Sequence, residues 1–160
     1  LRLQLLRDLV DDRMRVEIRE KRGAAYSPSV LLDAGTVFPG MGSLAIVVTV
    51  DPAKADEVLN QVLSVVDALD KAGVKQDDLE RVKKIAATQL DQAQANPAWW
   101  LQTLDGSFER PEALDFVKNL RESCAAITAD ELTALARQYL VRKSASTCVI
   151  TPKRSLPPGK

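Results

Sequence analysis

Apolar residues in the first twenty positions, Leu3, Leu5, Leu6, Leu9, Val10, Met14, Val16 and Ile18, stand among charges largely at helical spacing. The spacing predicts a helix that closes near Gly23, a residue suited to the positive φ of a helix end. Lys21 and Arg22 there complement the C-terminal dipole. Residues 24–33 read as a strand, with an edge or bulge expected at Pro28, which cannot donate to a ladder. Phe38-Pro39-Gly40-Met41-Gly42 reads as an ordinary turn without a phosphate-loop pattern. Leu44 to Val50 is apolar on both faces and rich in β-branched residues, which predicts an inner strand. The two strands are expected to form an antiparallel hairpin with a long loop.

Helical periodicity then dominates. Asp51-Pro52 supplies an N-cap and a first helical residue. Ala55, Val58, Leu59, Val62, Val65, Val66 and Leu69 form a core stripe that Gly73 closes. Asp77 and Glu80 read as a capping-box-like pair opening a helix that buries Leu79, Val82, Ile85, Ala86, Leu90 and Ala93. Asn96-Pro97 interrupts this helix and restarts one carrying Trp99, Trp100, Leu101 and Leu104. A shorter helix is expected from Pro111 to Ser123. Thr128 and Glu131 form a capping box for a last helix with Leu132, Leu135, Ala136 and Tyr139 inward. Ser146 to Thr151 reads as a final strand, and residues 153–160 as a disordered tail.

The order of helix, two strands, several helices and one strand predicts an α+β fold. It is a two-layer domain with an antiparallel sheet packed on one face by helices. Three strands are thin cover for so many helices, and the chain opens at Leu1 inside an amphipathic pattern. The expectation is therefore a segment of a longer protein with an incomplete sheet.

Composition adds exclusions. Apolar residues make up 46% and charged residues 28%, a soluble globular balance. Lys plus Arg (22) equals Asp plus Glu (22), so the basic bias of a nucleic-acid surface is missing. The cluster Arg81-Val82-Lys83-Lys84 lies among acids and reads as a solvated helix face. No apolar run approaches the roughly 20 residues needed to span a bilayer. The chain has no histidine, which excludes a histidine-based metal site, a Ser/His/Asp triad and a Cys/His dyad within these residues. Cys124 and Cys148 match no zinc spacing. They read as core thiols, with a mutual disulfide left open.

The stretch from Arg19 to Tyr26 carries the chemistry most worth attention. It sets a guanidinium and a phenol across a helix-to-strand junction, two groups suited to holding a peptide backbone. Pattern alone also allows a packed core tyrosine and an arginine serving the helix dipole. Trp99 and Trp100 could line a peptide-binding surface. Adjacent helical residues point about 100° apart, so one is expected inward and one exposed. The carboxylates Asp77, Asp78 and Glu80 could hold a cation, but capping accounts for them.

Three stretches resemble the M16 family of zinc metallopeptidases, the pitrilysin and insulysin group. The first runs from Leu9 through Asp11-Asp12-Arg13-Met14 and Arg19-Glu20-Lys21-Arg22-Gly23 to Tyr26-Ser27. The second is Asp51-Pro52 after an apolar strand. The third is Ile127-Thr128-Ala129-Asp130-Glu131-Leu132 leading to Ala136-Arg137-Gln138-Tyr139-Leu140. The resemblance spans about Leu1 to Thr151. It implies a non-catalytic C-terminal-type domain over residues 1–152, truncated at its N-terminus.

That family's inverted zinc motif, His-x-x-Glu-His, is absent here, so no zinc ligand carries over and no cofactor is expected in this segment. Zinc would belong to a catalytic domain of the same parent protein. Arg19 and Tyr26 match the family's substrate-handling Arg and Tyr. The resemblance implies a peptide or small-protein substrate and the catalytic domain as partners, with self-association at unpaired sheet edges. An alternative is a catalytically inactive structural or assembly subunit of the same fold, of the processing-peptidase or complex III core type. The compartment is left open between bacterial periplasm and cytoplasm, because a targeting sequence would lie upstream.

Overall fold

The first helix is the most deeply buried element of the structure, a computed structural model that describes residues 1–20, 28–33, 35, 41–109 and 112–150. Of residues 19, 20, 106–109, 112 and 113 only the backbone is described. Helix α1 (Arg2–Met14) buries Leu5, Leu6, Leu9, Val10 and Met14. It widens into a π-helical turn over Arg15–Glu20, where Ile18 continues the buried face. Burial on so wide a stripe follows from its neighbours: α1 packs on the sheet, on two long helices and on the last helix.

Strands β1 (Ser29–Asp33) and β2 (Ser43–Val47) form an antiparallel hairpin, with Val30 opposite Ile46 and Leu32 opposite Leu44. Those four residues share the face turned to α1, and Val30 is buried there. Leu31, 57% exposed, and Val47 lie on the other face. The α+β, helix-on-one-face architecture is therefore as the sequence predicts. The expectation of an inner strand is corrected. Among the described residues β2 pairs only with β1, and its burial alternates, because helices cover one face alone. Of the predicted strand 24–33, residues 24–27 lie outside the described residues, as do the predicted helix end at Lys21, Arg22 and Gly23 and Phe38, Pro39 and Gly40 of the predicted turn.

Asp51 caps as predicted, its carboxylate accepting the Ala53 N–H at 2.9 Å. A short 3-10 turn leads into α2 (Ala55–Ala72), which buries Val58, Val65, Val66 and Leu69 and closes at Gly73. Helix α3 (Gln76–Gln94) buries Leu79 and Val82. Ile85, expected inward, is 44% exposed. The predicted Asp77–Glu80 capping box does not form. The cap falls two residues earlier, at Lys75, and Glu80 accepts instead from Gln76 Nε2 at 2.8 Å.

Helix α4 (Pro97–Glu109) restarts as predicted, with Asn96 Oδ1 accepting the Ala98 N–H at 2.9 Å. The single helix expected from Pro111 to Ser123 is two, α5 (Glu112–Lys118) and α6 (Leu120–Ala126), broken at Asn119. Helix α7 (Ala129–Tyr139) opens on the full Thr128–Glu131 capping box and buries Leu132 and Ala136. Tyr139, expected inward, is 55% exposed. It ends the helix, and the following residue, Leu140, is buried instead. Residues 145–150 form no strand and are exposed, since no sheet edge lies alongside them among the described residues. Thr151 and the predicted disordered tail lie outside the described residues.

Candidate functional site

The predicted site begins at the C-terminal end of α1. The backbone of Arg19 lies in the π turn, one residue after buried Ile18. Its side chain, and Tyr26 entirely, lie outside the described residues. What the structure does describe is the frame on either side of the predicted pair, the π turn before it and strand β1 after it.

One carboxylate joins the two. Asp11 Oδ1 accepts the backbone N–H of Val30 at 3.2 Å, and Asp11 Oδ2 pairs with Arg15 Nη2 at 2.6 Å. The next two residues reach the other way, to α3. Asp12 Oδ2 accepts from Arg81 Nε and Nη2 at 3.0 and 2.5 Å, and Arg13 pairs with Asp78. Arg81 Nη2 also reaches Asp78 Oδ1 at 2.9 Å. Successive helical residues point about 100° apart, so three in a row can grip neighbours on two sides. The hydrogen bonds of the two carboxylates push the Arg81 guanidinium further above its already high range. Arg81 and Lys84 are exposed, as the solvated-face reading has it, but the face is also cross-linked to its neighbours. Arg81 is tied to α1, and Lys83 Nζ donates to the Ala125 carbonyl at 2.7 Å. Sequence reasoning missed Asp12, Arg13 and Asp78 as a set, because no local pattern reveals partners 65 to 69 residues apart, and missed Asp11, whose partner Val30 is 19 residues away.

Two open grooves lie at the opposite end of α1. One, of about 930 Å³, runs between its first two turns, β1 and the α5–α6 pair, with Arg2, Arg7, Leu31 and Phe116 on its walls. The other, of about 630 Å³, is bounded by α1, α3 and α6 and holds Asp8, Lys83 and Cys124. Burial pushes the Asp8 carboxyl up, helped by nearby Asp11 and opposed by Arg7. Burial likewise raises the Cys124 thiol above its ordinary range, with nearby Lys83 opposing the shift. Cys124 is half-buried as a core thiol would be, whereas Cys148 is exposed, which corrects that expectation for one of the two. Both are free.

Trp99 and Trp100 meet edge to face, centroids 4.8 Å apart at 82°. Trp99 is the more buried, and Trp100, 40% exposed, donates its indole N–H to the Gln94 carbonyl at 2.7 Å. Asp77, Asp78 and Glu80 form no cation site. No group of three or more His, Cys, Asp or Glu is arranged to hold a metal among the described residues. Nor is any described helix long and apolar enough to cross a membrane.

Comparison with known proteins places this geometry. The family model described as "Peptidase M16 inactive domain" matches residues 2–86, from α1 into α3. The fold is similar to the periplasmic protease PqqL from Escherichia coli, with a TM-score of 0.67 and 22% identity over 87% of this chain. It is similar also to a conserved protein from Enterococcus faecalis V583, with a TM-score of 0.70 and 18% identity over 86% of this chain. A third similar structure is a candidate zinc protease from Bordetella pertussis Tohama I, with a TM-score of 0.67 and 17% identity over 89% of this chain. The chain spans 15%, 32% and 78% of those three proteins respectively. No curated protein sequence matches it.

Proposed function

We propose a substrate-handling role on one premise: this chain belongs to the peptidase M16 family, as an inactive domain. In this reading the domain lies against a catalytic M16 domain and positions peptide or small-protein substrates for a zinc site held there. The observation that carries the proposal is the family match over residues 2–86, which includes both Arg19 and Tyr26. In this reading zinc chemistry belongs to the other domain, in line with the absence of histidine from this chain.

The roles assigned here follow from the donors. A tyrosine hydroxyl is neutral at pH 7 and donates one hydrogen bond, so Tyr26 would stabilise the oxyanion that forms at the scissile carbonyl. Arg19, with donors in a fixed fork, would hold a substrate carbonyl or carboxylate beside it. Loss of such an oxyanion donor costs about 10²–10³ in rate.

The test is hydrolysis of a quenched fluorescent peptide library by the full-length protein, with zinc content determined, beside Tyr26→Phe. Zinc-dependent cleavage that falls tenfold or more in the variant supports the reading. Cleavage unchanged by the variant keeps the family and removes Tyr26 from the reaction. A full-length protein with neither zinc nor cleavage favours an inactive structural or assembly subunit of the same fold. The isolated segment is expected to be inactive and without stoichiometric zinc. It should self-associate along the outer edge of β2, which gains no partner strand among the described residues.

A further inference from the structure

We draw no further inference here: the strongest candidate, the open groove between the first turns of α1, strand β1 and the α5–α6 pair, carries Arg2 and Arg7 on its walls, but these two guanidiniums are already paired with Glu131 and Asp8, and nothing in the structure shows what covers it.

Discussion

The Thr133 hydroxyl accepts the backbone N–H of Val74 at 2.9 Å and donates to the Ala129 carbonyl at 2.8 Å. This one side chain joins the α2–α3 turn to α7, and Gly73 explains why the turn can come so close. Gly73 has φ +71° and ψ −169°, a region nearly closed to side chains, and a Cβ there would sit 3.0 Å from both Thr133 Cγ2 and Oγ1. Gly73→Ala should therefore cost about 1–3 kcal/mol in backbone strain alone. Thr133→Val keeps the shape but leaves the Val74 N–H without its acceptor, at about 1–3 kcal/mol. Urea titration of each variant measures both. A Gly73→Ala variant as stable as the parent would show that the turn relaxes away from α7.

The α1–α3 clamp predicts an order of effects. Asp78 is mostly buried and serves both Arg13 and Arg81, whereas Arg81 is more exposed and keeps water as an alternative partner. Asp78→Ala strands the partly buried Arg13 guanidinium and should cost about 2–3 kcal/mol, within the range for hydrogen bonds to charged groups. Arg81→Ala should cost about 1 kcal/mol or less, as exposed ion pairs do. In the double variant the losses should fall short of their sum, because both act through Asp78. Additive losses would mean that the two ion pairs work independently.

How much of this was legible beforehand follows a physical line. Caps are local, so Asp51, Asn96 and the Thr128–Glu131 box could be read from neighbours two or three residues away. Stripes of apolar residues marked α2 and α7 for the same reason. Tertiary choices could not be read. Whether Leu44–Val47 was sandwiched depended on what covered its second face. Whether Ser146–Ile150 became a strand depended on a sheet edge to join. The Arg19–Tyr26 pair was legible only through resemblance, because a guanidinium and a phenol near a helix end are ordinary by pattern. The carboxylate that ties α1 to β1, Asp11, announced nothing at all. Its partner Val30 is 19 residues away and contributes only backbone.

The α7 capping box should make stability sensitive to acid. The Thr128 N–H donates to Glu131 Oε2 at 2.9 Å and Arg2 pairs with Oε1 at 2.9 Å, which hold the Glu131 carboxyl below its ordinary range. A lowered folded value means that the contribution is complete above the usual glutamate range and is lost as pH falls through the folded value. Glu131→Gln should therefore lower the melting temperature at neutral pH and make little difference in acid. Thr128→Ala removes the cap oxygen and should cost about 1 kcal/mol. Melting curves across pH separate the two, and an acid sensitivity retained in Glu131→Gln would assign it elsewhere.

Asp8 should show the opposite sign. Burial raises its carboxyl above the usual aspartate range, and Asp11 adds repulsion on the same helix. Its Arg7 partner, 3.0 Å away, does not fully offset them. A raised folded value in an acid means that the native state holds the proton more tightly. The contribution is therefore greatest at low pH and is lost as pH rises through the folded value. At neutral pH the ionised Asp8 is a net burden on the fold, beside the groove it shares with Cys124. Asp8→Asn keeps the shape and removes the charge. It should melt higher than the parent at pH 7, and the gap should close as the pH is lowered into the carboxylate range. The Arg7 pair argues for the reverse, but Arg7 is 40% exposed, and an ion pair with one partner in water contributes little. An Asp8→Asn variant that melts lower than the parent at pH 7 would show that the pair outweighs the burial.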